Sequence, residues 1–313
     1  MGSEAADEIP CFDFSGDDEQ QRWKDMCGRI REALETHGCF LLSYDKIPKR
    51  LLEDMFVEMN TFFDLPEETR NKYLGPLPYR SYLRKSRINV PWPESFDIVN
   101  EPDHDQLDAF TKLMWPDGNP SFCETLKSMS SKMLELNRII LKMVFESYGV
   151  GKLYDAYKQD STSTFRLLKY RLPPNPNNSE EGAIGLVPHT DKNALTILCQ
   201  NDVQGLQVLN NDNVYVPLMV PDKAFIVFVG DSLKGWSNGR LKAVKHRVVM
   251  SGKKERYSFG LFSMPKEGVT TEVPNELVDE HHPLRYRPFK FTEFLSYFSE
   301  TVSDDALETY AGL

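Results

Sequence analysis

The hydrophobic period of this chain changes near residue 160, and that change limits the folds open to it more than any other feature. Upstream, apolar residues recur every three or four positions, as Trp23, Met26, Ile30 and Leu34 do in residues 21–36 and Leu52, Met55, Phe56, Met59 and Phe63 do in residues 51–63. This spacing predicts amphipathic helices, because side chains three and four apart share one helical face. The longest stripe, Leu126, Met129, Met133, Leu136, Ile140, Met143 and Val144, predicts a helix over residues 120–148 packed on a larger element. Downstream the apolar runs are short, β-branched and separated by turn residues: 165–172, 195–200, 206–209, 214–218, 225–229, 244–250 and 257–264. Asn210-Asn211-Asp212-Asn213 between two of them marks a hairpin, since Asn and Asp tolerate positive φ. Seven short strands with close turns fit a sandwich or barrel and not βαβ units. The expected fold is therefore mainly β with flanking helices. Its core is a double-stranded β-helix (jelly-roll, cupin-like) at 156–313, closed by a helix near residues 291–298, with a helical section at 1–155 packed on it. Residues 74–108, which hold five prolines, read as irregular loops forming a pocket rim.

Composition narrows the partners. A net charge of -10 and a pI near 5.2 argue against nucleic acid or an anionic membrane, both of which need concentrated Lys and Arg. Cys11, Cys27, Cys39, Cys123 and Cys199 are odd in number, widely spread and never in a C-x-x-C pair, which points to reduced thiols in the cytoplasm. The opening MGSEAADEIP has neither a basic nor an apolar signal region, and no stretch approaches a membrane span. Asn177-Asn178-Ser179 is a formal glycosylation sequon, read as polar loop. Nothing in the sequence demands more than a monomer.

The chemistry-bearing pattern is Pro188-His189-Thr190-Asp191, followed fifty-five residues past Asp191 by His246 in Lys245-His246-Arg247-Val248. Alone, H-x-D is a weak signal. In extended chain, however, residues two apart point to the same side with Cα atoms about 6.6 Å apart, close enough to converge on one ion. A histidine from a distant strand then completes a 2-His-1-carboxylate set, which leaves three positions open for Fe(II) chemistry. Each residue taken singly also fits an ordinary role: His189 capping a turn, Asp191 as a loop acid, His246 as a satisfied core histidine. A zinc hydrolase can use the same ligands, but no H-E-x-x-H pairing or other obvious general base accompanies them.

Ten residues after His246 stands Arg256-Tyr257-Ser258, and in a strand Arg256 and Ser258 share a face. A guanidinium beside a hydroxyl suits a terminal carboxylate, because its planar donors match the two oxygens. The charge pattern Lys253-Lys254-Glu255-Arg256 alone would make Arg256 a surface residue. Its position relative to His246 favours the anion site.

These residues at these spacings resemble the plant 2-oxoglutarate- and Fe(II)-dependent dioxygenase superfamily, and the similarity extends over nearly the whole chain. Ile9-Pro10-Cys11-Phe12-Asp13-Phe14 resembles the family's opening strand, and Gly230-Asp231-Ser232-Leu233-Lys234-Gly235-Trp236 the segment leading to the distal histidine. Trp115-Pro116-Asp117-Gly118-Asn119-Pro120 and Tyr286-Arg287-Pro288-Phe289 are similar to the subgroup with auxin-oxidising and glucosinolate side-chain-modifying enzymes. The resemblance implies iron on His189, Asp191 and His246, and 2-oxoglutarate anchored by Arg256 and Ser258. O2 is the oxidant and ascorbate an optional reductant. It further implies oxidation of a small organic substrate, by hydroxylation, desaturation, demethylation or ring closure, with release of succinate and CO2. Many relatives carry Asn-x-Tyr in the strand before H-x-D. Here Lys169-Tyr170-Arg171 stands in its place, with Tyr170 one position off, so Tyr170, Lys169 and Arg171 are alternative polar contacts to the co-substrate. Phe262, Tyr79, Tyr82 and Trp92 are candidates for the substrate pocket, against the plainer role of filling core. Two other functions remain open on the same fold: a non-catalytic ligand-binding sensor, and an ascorbate-dependent oxidase that does not use 2-oxoglutarate.

Overall fold

Side chains along a strand point alternately to its two faces, and here both faces of the largest sheet are apolar, so each must be covered. The computed structural model describes residues 9–14, 20–73, 93–99, 105–172, 182–251 and 253–313. In chain order the elements are β1 (Cys11–Asp13), α1 (Gln20–Thr36), β2 (Cys39–Ser43), α2 (Lys49–Phe63), α3 (Glu67–Arg70), β3 (Glu94–Val99), α4 (Asp105–Met114), α5 (Pro120–Ser147) and α6 (Tyr154–Gln159). There follow β4 (Ser161–Tyr170), β5 (Ala183–His189), β6 (Leu195–Gln200), β7 (Leu206–Leu209), β8 (Tyr215–Pro217), β9 (Phe225–Val229), α7 (Asp231–Trp236), β10 (His246–Met250) and β11 (Arg256–Pro265). The chain ends with β12 (Thr270–Thr271), β13 (Phe289–Lys290), α8 (Phe291–Thr301) and α9 (Ala306–Ala311).

A seven-stranded sheet in the order β1-β2-β9-β6-β11-β4-β3 faces a four-stranded sheet in the order β5-β10-β7-β8. On the outer face of the large sheet, Phe165, Leu167, Leu195, Ile197, Cys199, Phe225, Val227, Phe259 and Leu261 form one core with α1, α2 and α5. On its inner face Leu168, Tyr170, Leu198, Ile226 and Phe228 meet Leu186, Leu206, Val208, Val248 and Met250 of the small sheet. This is the jelly-roll with a covering helical layer. The first half of the chain supplies that layer and also strands β1, β2 and β3 of the large sheet.

Helix α5 begins where Asn119 accepts a hydrogen bond from the Phe122 backbone N–H at 3.1 Å, with Pro120 in the first turn. Every residue of its expected stripe is buried. In the turn between β7 and β8, Asn210 Oδ1 accepts from the backbone N–H groups of Asp212 and Val214 and Asn213 has φ 60°, as its composition predicts. Two readings of the sequence are corrected. Residues 94–99, assigned to irregular loop, form β3, whose six residues are all buried. Its Glu94 and Asp97 look like surface acids but are paired with Arg70 and Arg166. Strand β5 also escaped the pattern, because Gly185 and Pro188 interrupt its apolar run and most of its side chains are only half-buried.

Among the described residues no helix is long and apolar enough to cross a membrane. All five cysteines are free thiols, and Cys27, Cys39 and Cys199 are buried. Burial pushes Cys39 and Cys199 up to about 12. The seam between α2, β3, α4 and α5 is aromatic, with the Phe62 ring centroid 4.7 Å from Phe96, 5.4 Å from Phe110 and 5.8 Å from Phe122. Phe62→Ala leaves a void among rings that cannot collapse onto it. It should cost about 3–5 kcal/mol in a urea unfolding experiment; a loss below about 1 kcal/mol would show that the seam is not close-packed.

Candidate metal centre and co-substrate site

Strand β10 lies between β5 and β7, and its antiparallel register with β5 sets His246 directly opposite His189. The two imidazole centroids are 4.3 Å apart. Asp191 follows β5 on the side of His189, with Oδ1 3.7 Å from His189 Nε2. One ligand atom from each of His189, Asp191 and His246 lies within 4.8 Å of the other two. Both rings are oriented by their own strands. His189 Nδ1 donates to Val187 O at 2.8 Å and His246 Nδ1 to Val244 O at 3.1 Å, which leaves each Nε2 on the side of the cluster. Phe228 stacks on His246 at 4.4 Å and 12°. Thr196 donates its hydroxyl proton to Asp191 Oδ2 at 2.5 Å.

The electrostatics favour unprotonated His189 and Asp191. Burial, with the His246 imidazole alongside, pushes His189 well below the ordinary histidine value despite the nearby Asp191. Burial alone would raise Asp191, but His246, His189, the Thr196 hydroxyl and the Arg166 guanidinium hold it below the usual carboxylate range. A neutral His189 imidazole and an ionised Asp191 carboxylate beside His246 can take a divalent cation without proton release from either of the first two.

Alternation places Arg256 and Ser258 on the inner face of β11, together with Phe262, while Tyr257 and Phe259 point to the helices. Arg256 is fully buried, which removes it from the surface run its charge pattern suggests. Its Nη2 donates to Gln200 Oε1 at 2.8 Å and its Nη1 to Ser258 Oγ at 3.5 Å, while Nε is buried without any hydrogen-bond partner. Among the described residues no carboxylate forms an ion pair with it. A buried guanidinium with an orphaned N–H and no counter-charge is a site prepared for an anion. Tyr170 is the cross-strand partner of Arg256, and the guanidinium carbon lies 4.6 Å from its ring centroid. Lys169 turns to the opposite face, onto Glu255 and Tyr257, and Arg171 pairs with Glu94. The structure therefore brings Tyr170, and neither of its neighbours, to Arg256.

Phe262 is buried in a small cluster with Met264 and Phe291 and lies 4.2 Å beneath the Arg166 guanidinium carbon. Arg166 itself is paired with Asp97 through two hydrogen bonds, one of 2.8 Å. Tyr79, Tyr82 and Trp92 lie outside the described residues. Sequence reasoning missed Arg166, Thr196 and Gln200. The available signal was a polar residue at inward-facing positions of otherwise apolar strands, in phase with Tyr170 on β4 and with Leu198 on β6.

Residues 162–265 match the model of the 2OG-Fe(II) oxygenase superfamily, and residues 9–118 match that of the N-terminal region of non-haem dioxygenases in morphine synthesis. AOP1 of Arabidopsis thaliana, a probable 2-oxoglutarate-dependent dioxygenase, is 37% identical, with 93% of this chain and 96% of that protein covered. The crystal structure of the rice dioxygenase for auxin oxidation superposes with a TM-score of 0.81 at 31% identity, covering 97% of this chain and all of that one. The Arabidopsis dioxygenase for auxin oxidation 1, in its binary complex with 2-oxoglutarate, gives 0.79 at 27% identity, covering 88% and 100%. The chain belongs to the 2OG-Fe(II) oxygenase superfamily. It is an enzyme, a dioxygenase that uses Fe(II), 2-oxoglutarate and O2 to oxidise an organic molecule.

In the metal-free protein His189 stays neutral at a pH where an unfolded histidine, with a pKa near ~6.5, is protonated. The unfolded chain then binds the extra proton, so stability is lost as pH falls below that value. The melting temperature of the metal-free protein should drop between about pH 7 and about pH 5, and His189→Asn should flatten that drop. An unaltered slope in the variant would contradict the assignment of a neutral His189.

Proposed function

We propose that His189, Asp191 and His246 bind the ferrous ion and that Arg256, Ser258 and Tyr170 hold the far carboxylate of 2-oxoglutarate in the inner face of the jelly-roll. The observation that carries this reading is the buried Arg256: it lacks a counter-charge, lies on the same sheet face as Thr196, and Thr196 in turn holds Asp191. The iron and co-substrate, when bound, supply the oxidising equivalents, with 2-oxoglutarate leaving as succinate and CO2. The chain's own residues bind, orient and shield. Gln200 and Tyr170 keep the Arg256 fork in one plane, so that a carboxylate meets two fixed donors. Phe228 and Thr196 fix two of the metal ligands against rotation, and the apolar lining between the sheets excludes water from the reacting C–H bond.

Phe262 and Arg166 occupy the inner face of the large sheet, on its metal side, and are the residues that meet the organic substrate. Phe262 offers a flat apolar wall and Arg166 a polar head. Relatives named for auxin oxidation, together with that polar head, point to a small plant metabolite that carries an acidic or hydroxyl group, in specialised or hormone metabolism. Hydroxylation is the default outcome. All proposed site residues fall in 156–313, while 1–155 shapes and covers the core. The net charge of -10 argues against nucleic acid or an anionic membrane as partner, and the scattered free cysteines fit a cytoplasmic protein, which we take to act as a monomer.

Oxygen-dependent succinate release tests the reading. The protein should be loaded anaerobically with Fe(II), given a panel of small plant acids including auxin, phenolics and alkaloids, and assayed by mass spectrometry with and without 2-oxoglutarate. Turnover that persists without 2-oxoglutarate would replace this reading with an ascorbate-dependent oxidase, and binding without succinate would replace it with a sensor. Asp191→Ala should reduce succinate to background. Arg256→Ala should raise the 2-oxoglutarate concentration for half-maximal rate about ten- to a hundredfold, since charge-assisted hydrogen bonds contribute ~1.5–3 kcal/mol each. A normal rate in the first variant, or an unchanged requirement in the second, would remove the corresponding residue from the site.

A further inference from the structure

Behind the clustered ligands lies a charged group that the reaction as described leaves unused. His189 and Asp191 are two apart and turn one way. Thr190 and Lys192 turn the other way, toward α7 and α8. Lys192 is buried, at 9% exposure, and Asp231 at the start of α7 at 4%. Lys192 Nζ donates to Asp231 Oδ2 at 2.6 Å and to Thr190 Oγ1 at 2.6 Å, and Thr190 donates to the same carboxylate oxygen at 3.1 Å. The ammonium also lies 4.4 Å from the Phe298 ring centroid, on α8. The main chain is tied at the same place. Asp231 N–H donates to Asp191 O at 2.7 Å, and the Ser232 hydroxyl donates to Lys192 O at 2.8 Å. Gly230 allows this close approach, because a Cβ there would meet Asn193 O at 2.0 Å.

We propose that the Lys192–Asp231 ion pair is a positioning device for the Asp191 carboxylate, and that Phe298, by covering the ammonium, makes the seating of α8 a condition for a fully formed metal centre. The inference rests on the reading that His189, Asp191 and His246 bind a divalent cation. A lysine next to a metal ligand can act in two ways of opposite sign. As a bare charge it would repel the cation, and its removal would tighten metal binding. As a tether it fixes Thr190 on one side of Asp191 and α7 on the other, and its removal would loosen metal binding. Asp231 neutralises the charge at 2.6 Å, which leaves the tether as the dominant effect. Lys192 and Asp231 are positioning residues in this arrangement, since both act through Asp191.

Co(II) titration of the full-length protein without 2-oxoglutarate or O2, followed by visible absorption, separates these possibilities without any turnover. The wild type should bind one Co(II). Lys192→Met and Asp231→Asn should each weaken Co(II) binding by ~10–100-fold, the usual effect of removing a partner of a metal ligand, and change the shape of the absorption band. The double variant should be no worse than the weaker single one, because the two residues work as a unit. Phe298→Leu, at a half-buried position, should keep one cooperative melting transition and show a smaller loss in the same direction. Unchanged or tighter binding by Lys192→Met would overturn the proposal. Unchanged binding by Phe298→Leu would remove α8 from it, and would decide the matter against the proposal if the lysine variant does not fold. A wild type that binds no Co(II) would instead refute the metal-site reading itself.

Discussion

The antiparallel pairing of β5 with β10 is the contact on which the site depends. It sets His189 opposite His246, and since a slip of one residue would turn a side chain to the other face, the two imidazoles converge only in this register. Strand β10 is held on both edges, by β5 and by β7, so the register is fixed twice. The large sheet is matched to it through Phe228, which stacks on His246, and through Thr196, which holds Asp191. Among the described residues the helical layer contributes no side chain to the His189, Asp191 and His246 cluster, yet it determines which face of the large sheet turns inward. By covering Phe165, Ile197, Val227 and Phe259 it leaves Arg166, Thr196, Phe228 and Arg256 to the interior.

The interior holds several buried or half-buried cations, and their partners divide them into two kinds. Arg70 is matched by Glu94, Arg166 by Asp97 and Lys192 by Asp231, each at hydrogen-bonding distance. Such pairs contribute little net stability but fix geometry, because removing one partner strands the other in a medium of low polarity. Among the described residues Arg256 has no such match, but meets a glutamine, a serine hydroxyl and the face of a tyrosine. The cation without a carboxylate is the one whose charge is left unmatched by the fold, which is why it is the proposed anchor of the co-substrate.

The long helices α1, α2 and α5, the closing helix α8 and most strands were legible because their apolar residues repeat with a clear period, whereas α4, whose first residues 105–108 were read as loop, and the short α6, α7 and α9 were not. The H-x-D pair, the distal histidine and R-x-S were legible because alternation confers a common direction on residues two apart. What could not be read depended on contacts distant in sequence. Strand β3 was hidden because its acids are neutralised by arginines from α3 and β4, and β5 because Gly185 and Pro188 break its pattern. The choice between Tyr170 and its neighbours required the register of β4 against β11, which only the folded sheet supplies. The role of Lys192 was invisible for the same reason, since its partners stand 39 and 106 residues away in sequence.

The buried thiols bear on how such a protein survives its own chemistry, Cys39 lying between the sheets and Cys199 behind the large one. Oxidation of cysteine proceeds through the thiolate, and Cys39 and Cys199, pushed up to about 12 by burial, carry almost none at neutral pH. Cys199 projects from β6 toward the helices, on the reverse of the strand whose inward-facing Thr196 and Gln200 bond to Asp191 and Arg256. The same pleat that aims Thr196 and Gln200 toward Asp191 and Arg256 thus turns the sulfur away from them, so that, with the proposed site occupied, one backbone ribbon would separate an oxidising compartment from an easily oxidised side chain.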